Sequence, residues 1–417
     1  MGLLTYIGFE PGTTKGIGQS WHLSGDYAYG VVSGQKHGDG CLKCASSNIS
    51  HQGYADVYSV DNATNNGRST EFSTDDDDVF LSFWFKTAKD VVTGFGRTDL
   101  RIVSGMTSPW YLALTMTNRY LSLKPSGSSA QTGSTSLQIG TWHLIEVRWQ
   151  RASAEDEEDG RVRVWLDGEL EIDYEGWTYH EAPTYYRFGK STGSAGDLSG
   201  NWEIYFDDVI VSNNKFYSDC TVSSVAVPVD DGNYTAWLGI YTRLQERSDI
   251  AYNDPAQYPS DREVNSINRI TNSRAGRKES QVFDISDETY GTLTDGPSTG
   301  DSIVAIRVDW YSYMDGSAPA ATIVKFYPRI NGTDYAVATG ASLEGDILYP
   351  NYSWLSEQNP NTSASWKYSD LTGTNFEAVE DNVSTTGVAA RVSAVHLSVL
   401  WKEGTAARRK ILAHAGL

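Results

Sequence analysis

Between Thr141 and Glu175 the side chains change character at every second residue, and that period suits a strand with one face in a core. In TWHLIEVRWQ, His143, Ile145, Val147 and Trp149 share one side, with Leu144, Glu146 and Arg148 on the other. After an acidic loop, ASAEDEEDG, Val162, Val164 and Leu166 alternate with Arg161, Arg163 and Trp165. Asp167-Gly168 comes next. A tight type I′ hairpin needs such a pair, because both of its central residues take positive φ. ELEIDYE continues the alternation, so three antiparallel strands stand in succession and imply a β-sandwich.

The same period recurs along the chain. In DDDDVFLSFWFKTA, Val79, Leu81, Phe83 and Phe85 fall on one side, with Phe80, Ser82, Trp84 and Lys86 on the other. LRIVSG, WYLALTM, YLSLKP, YYRFGK and NWEIYFDDVIVSN follow at short spacing, the pattern of a sandwich or barrel over residues 1–220. A linker and wrapping loop is expected over 221–300. DSIVAIRVDWYSYM, ATIVKFYPRI and AARVSAVHLSVLWK then imply a second, smaller β-sandwich over 301–403. Helix formers with Arg408, Arg409 and Lys410 make 404–417 a short basic C-terminal arm. The fold class expected is all-β, and a length of 417 residues suits two domains.

A formal net charge of −20, spread over both halves, argues against nucleic acid or anionic membrane as partner. No apolar run approaches the roughly 18–20 residues of a membrane span. The start, MGLLTYIGFEPG, lacks the basic region and longer apolar core of a signal peptide, so synthesis in the cytoplasm is expected. With Cys220 lacking an obvious partner, no disulfide framework is expected in that compartment.

The order TWHLIEVRWQ, VRVWLDGELEID, WEIYFDDVIV resembles the laminin-G-like, concanavalin-type jelly rolls over residues 1–220. The stretch NPNTSASWKYSDL, through Asn359, Pro360, Thr362, Ser363, Ser365, Trp366, Asp370 and Leu371, resembles structural proteins of tailed bacteriophages. In those proteins a laminin-G-like domain precedes a β-sandwich. The resemblance implies a non-enzymatic virion structural protein, displayed on the capsid or tail surface and made in the host cytoplasm. Its partners would be other virion proteins, copies of itself in a homo-oligomer, and a host surface glycan. A carbohydrate-binding module or lectin-like adhesin is the alternative reading.

Gly8-Phe9-Glu10 and Asp207-Asp208-Val209 stand where calcium-stabilised jelly-roll carbohydrate modules carry related stretches. That resemblance implies a structural Ca²⁺ on Glu10, Asp207 and Asp208, provided the first and last strands of the sandwich pair. A hard cation takes several oxygens at about 2.3–2.6 Å, and carboxylates with loop carbonyls provide them. Trp110, Trp165, Trp177 and Tyr179 are candidates for a glycan or partner surface, since flat rings stack on sugars and anchor interfaces.

Glu171, Asp173 and Glu175 lie on one strand face and resemble the E-x-D-x-E strand of jelly-roll glycosidases, a second alternative. A retaining pair needs its carboxyl groups about 5–5.5 Å apart. Positions i and i+4 of a straight strand lie about 13 Å apart. An acidic outer face is the favoured reading. The Asp75–Asp78 run reads as a solvated loop. His37, Cys41, Cys44 and His51 carry zinc-type ligands, but in a strand Cys41 and Cys44 face opposite ways and read as idle thiols.

Overall fold

The computed structural model describes residues 2–7, 27–32, 36–37, 41–46, 53–57, 76–88, 100–106, 111–117, 119–124, 130–154, 157–176, 183, 185–190, 202–222, 230–231, 270–272, 277–286, 296–314, 323–335, 341–342, 352–382 and 390–404. The described chain is all-β, with a single short 3₁₀ turn at Tyr368–Leu371.

The first part of the chain forms β1 (Leu3–Ile7), β2 (Tyr27–Val32), β3 (Cys41–Ser46), β4 (Gly53–Val57) and β5 (Asp78–Thr87). It continues with β6 (Leu100–Met106), β7 (Tyr111–Thr117), β8 (Tyr120–Lys124), β9 (Gln131–Ser136) and β10 (His143–Gln150). The Asp-Gly hairpin joins β11 (Gly160–Leu166) to β12 (Glu169–Gly176), and β13 (Tyr185–Lys190) and β14 (Trp202–Ser212) complete the set. They assemble as an eight-stranded sheet in the order β12-β11-β10-β5-β14-β3-β2, with β1 also on β14. A six-stranded sheet, β4-β13-β6-β7-β8-β9, makes the second layer of this jelly-roll sandwich.

The alternation read from the sequence is the packing pattern. Val79, Leu81, Phe83 and Phe85 are fully buried, as are Val162 and Val164. Phe83 meets Phe188 of the opposite sheet edge-on at 5.3 Å between centroids. Each such side chain contributes about 1.5–3 kcal/mol on burial. Asp167 and Gly168 take φ of 52° and 88°, the left-handed pair that a type I′ turn requires.

β14 changes partners part-way along. Its first half pairs with β3 and its second with β1, so the first and last strands of the sandwich do pair, Ile7 opposite Val209. Between the halves the register to β5 slips from Asp207 to Ile210, and Asp208 takes φ 44°. A bulge of this kind re-aims side chains, and here it turns Asp208 inward.

The second sandwich contains β15 (Thr221–Val222), β16 (Asp230–Asp231), β17 (Ile270–Asn272), β18 (Arg277–Phe283), β19 (Ser302–Met314) and β20 (Ile323–Ile330). It is completed by β21 (Thr333–Asp334), β22 (Ala341–Ser342), β23 (Tyr352–Ser356), β24 (Phe376–Asn382) and β25 (Ala390–Lys402). One sheet runs β15-β25-β19-β23 with β17 on β25, and the other runs β16-β18-β24-β20-β21 with β22 on β20. The stretch expected as a linker over 221–300 therefore contributes strands to both sheets.

Trp310 and Phe326 meet at 5.8 Å in this core, where Trp366 packs on Trp354 and Phe376. The 359–371 stretch closes on itself through Asn359. The Asn359 carbonyl accepts from Ser363 N at 2.8 Å, and its Oδ1 accepts from Asn361 N at 2.9 Å. The Trp366 indole N–H donates to the Ser356 carbonyl at 3.0 Å. These residues plug the second core.

A third apolar cluster joins the two sandwiches. Leu3, Tyr6 and Ile210 of the first pack on Ala305, Leu355 and Leu400 of the second, with Tyr217, Cys220 and Val222 between them.

Candidate functional site

The outer face of the eight-stranded sheet carries alternating rings and ammonium groups. Lys86 lies opposite Tyr205, and Tyr205 opposite Lys43, so three neighbouring strands contribute one cross-strand row. Trp142, just before β10, extends that row past Lys86. The Lys86 ammonium stands 4.5 Å from the Trp142 ring centroid and 4.4 Å from that of Tyr205. Lys43 lies 5.5 Å from the Tyr205 ring on its other side. Two residues along β5, Trp84 repeats the arrangement, with Lys36 at 4.4 Å.

Glu203 enters this row. Glu203 pairs with Lys43 at 3.0 Å and accepts from the Tyr205 hydroxyl. Burial pulls the Lys43 ammonium down in pKa, but its bonds to Glu203 and Tyr205 outweigh that and raise it. Burial and Glu203 push the Tyr205 hydroxyl up, so it remains a donor. Along the row Lys43 and Lys86 face one glutamate, while Asp207, opposite Trp84, and Asp208 stand at the Lys36 end. The rings, each partly exposed, supply flat apolar surface between the charges. Neither lysine nor ring spacing was legible from one strand alone, because Lys43, Lys86 and Tyr205 become neighbours only through pairing.

Asp207 and Asp208 lie beside this patch, at the bulge. Asp207 Oδ2 accepts the backbone N–H groups of Lys36 and His37, at 2.8 and 3.1 Å. Its Oδ1 accepts Asp208 N–H at 2.9 Å. Asp208 Oδ1 accepts Val222 N–H at 3.3 Å, and Oδ2 is bonded to His37 Nδ1. Burial pushes the Asp208 carboxyl up in pKa against the pull of His37. Both carboxylates face N–H donors. Among the described residues no group of three His, Cys, Asp or Glu is placed to hold a metal ion. Glu10, the third expected calcium ligand, lies outside the described residues.

Glu171, Asp173 and Glu175 do share the outward face of β12, as alternation required. Each of the first two is committed elsewhere. Glu171 Oε2 accepts Ser134 N–H at 2.7 Å and Thr135 N–H at 3.0 Å, on the edge of the opposite sheet. A Cβ at Gly133 would come within 2.6 Å of that oxygen, so the glycine admits the carboxylate. Burial raises the Glu171 pKa, but the bonds from Thr135 and Ser134 outweigh it, and the group stays below its ordinary range. Asp173 is held low by hydrogen bonds from Arg161, with Arg163 adding its charge. A glycosidase acid needs a raised pKa, and these two carboxyls are shifted the other way.

The expected aromatic surface is rearranged. Trp165 is covered by Phe216, ring to ring at 5.3 Å, where the chain after β14 crosses the sheet. Trp110, Trp177 and Tyr179 lie outside the described residues, as do His51, Asp75 and the 405–417 arm. The remaining acids expected as a solvated loop are paired: Asp78 takes Arg148 through two bonds of 3.0 Å, Asp77 meets Arg151, and Asp76 accepts from Asn213. Cys41 and Cys44 are both fully buried, and burial pushes the Cys44 thiol up to about 12.

No protein-family model and no curated protein matches this sequence. Among solved structures, the chain is similar in outline to the botulinum neurotoxin type G receptor binding domain, at 10% identity and a TM-score of 0.32. That match covers 48% of this chain and 44% of that one. It is similar to alginate lyase AlgAT5 of polysaccharide lyase family 7, at 13% identity and TM-score 0.32, over 46% of this chain and 83% of that one. It is also similar to the binding domain of Paraclostridial mosquitocidal protein 1, at 12% identity and TM-score 0.32, over 50% and 51% of the two chains. These values describe a shared sandwich outline and assign no activity. The matches include alginate lyases and sialidases beside the binding domains, so they do not bear out the expectation of a non-enzymatic chain.

Proposed function

We propose that this protein is a glycan-binding surface protein whose ligand is an acidic polysaccharide, gripped on the outer face of the eight-stranded sheet. The observation that carries the reading is the row Trp142, Lys86, Tyr205, Lys43, in which rings and ammonium groups alternate. Rings of this kind stack on the C–H faces of sugars, and ammonium groups pair with sugar carboxylates. The row crosses three strands and its rings are partly exposed, so an internal stretch of a chain can lie along it. A virion setting on a tailed phage, with copies of itself as partners, rests on the 359–371 resemblance alone. Mass spectrometry of purified particles tests that setting separately.

The direct test is a glycan array probed with the full chain. Uronate-bearing chains are expected to bind and neutral glucans not to. Lys86→Ala with Tyr205→Ala should weaken binding at least about tenfold, and raised salt should weaken it further. Equal retention on neutral chains, or no effect of the double substitution, would overturn the reading.

A further inference from the structure

Where the two sandwiches meet, a cleft of about 740 Å³ opens between the turn after β14 and the second domain. The first sandwich contributes Lys215 and Tyr217, and the second Asp301, Glu357, Trp366 and Lys367. This size falls in the range of small-molecule sites, which favour domain junctions.

The cleft's carboxylates are already occupied by protein donors. Glu357 Oε1 accepts the N–H groups of Gly2 and Leu3 at 2.9 and 3.1 Å, and Oε2 accepts the Tyr217 hydroxyl at 3.1 Å. Asp301 Oδ1 accepts Gly404 N–H at 2.7 Å, and Oδ2 accepts both N–H and hydroxyl of Ser298 at 2.8 Å. Lys215 and Lys367 are exposed and make no ion pair among the described residues, Lys215 standing 4.8 Å from the Tyr217 ring. Hydroxyls of Thr299, Ser302, Ser365 and Ser369 line the wall, and the Tyr368 ring is partly exposed.

We infer that this junction cleft is a second binding site, for the terminal unit of a carboxylate-bearing saccharide. Two ammonium groups that make no ion pair among the described residues meet the carboxylate, the hydroxyl wall matches a polyol as donor and acceptor, and the aromatic side takes its C–H face. A cleft between domains encloses a chain end, whereas the open sheet face takes a chain's middle. The two sites are independent in position, and neither inference needs the other.

The test uses the full chain with the sheet face disabled by Lys86→Ala and Tyr205→Ala, titrated calorimetrically with digalacturonate and with neutral cellobiose. One equivalent of digalacturonate should bind. Adding Lys215→Ala and Lys367→Ala should weaken it about tenfold or more, while the Lys→Arg pair should retain binding within about threefold. Both lysines are exposed, so folding is not at stake. No binding to the face-disabled chain, unchanged affinity without the two lysines, or equal binding of cellobiose would each overturn the inference. Failure of the sheet-face reading would instead appear as unaltered retention of polymer by the Lys86→Ala, Tyr205→Ala chain.

Discussion

The Tyr6 hydroxyl donates to the Ser398 carbonyl at 2.8 Å, tying the first strand to the last across 392 positions. Beside it, Arg307 Nη1 donates to Thr5 Oγ1 and to the Tyr6 carbonyl, each at 3.1 Å. Its Nε donates to Asp309 at 3.0 Å, and the Ser353 hydroxyl closes on the same carboxylate. Arg307 and Asp309 are both buried, and Arg307 reaches from the second sandwich to the first.

Arg307→Met is therefore expected to cost about 3–5 kcal/mol, because it strands a buried carboxylate. Denaturation in urea measures this. Arg307→Met with Asp309→Leu should recover most of the loss, and a single-variant loss below about 1 kcal/mol would show that this pair does not hold the junction.

The same junction should weaken in acid. Burial alone would raise the Glu357 pKa, but the N–H groups of Leu3 and Gly2 and the Tyr217 hydroxyl lower it below its unfolded value. Its stabilising effect is thus fully present above the unfolded carboxylate value of about 4.3 and is lost as pH falls through the lower folded one. Melting curves between neutral pH and about pH 3 should fall less steeply for Glu357→Gln than for the parent chain. Parallel curves would contradict this.

On β12, Glu171→Gln should act on stability. It removes the charge from two hydrogen bonds that close the edge of β9, at a cost of about 1 kcal/mol. Gly133→Ala should displace the same oxygen, which sits at the end of a flexible side chain, at a similar cost. Amide exchange at Ser134 and Thr135 reports the effect directly and should accelerate in both variants.

The carboxylates at the bulge give a metal test. If Asp207 and Asp208 act as acceptors for Lys36, His37 and Val222, melting temperatures in excess Ca²⁺ and in EGTA should coincide. A shift of several degrees, abolished by Asp208→Asn, would return them to a cation.

His143 is oriented by two partners. Its Nδ1 lies 2.7 Å from Asp167 Oδ2, while Nε2 accepts Gln138 N–H at 3.0 Å. The neutral ring must therefore carry its proton on Nδ1. Nitrogen NMR of the imidazole should find that tautomer, and Asp167→Ala should lose it together with about 1–3 kcal/mol of stability. The opposite tautomer in the parent chain would contradict the arrangement.

What the sequence determined by itself was local. Alternation in 141–175 and 75–88 set which side chains face the core, and Asp167-Gly168 set the hairpin, because period and turn chemistry act within a few residues. The all-β class and the outward acids of β12 followed from the same signals. Tertiary structure decided what those outward side chains meet. Glu171 was expected on an acidic outer face, and the fold sets the edge of β9 against it. Asp207 and Asp208 meet at the bulge, where the loop at Lys36 and His37 brings them N–H donors. Trp165 stays partly exposed, and the chain after β14 sets Phe216 against it. Lys86 was legible as an outward residue of its strand, but its grouping with Lys43, Trp142 and Tyr205 was not, because their strands are far apart along the chain and only cross-strand register makes them one surface.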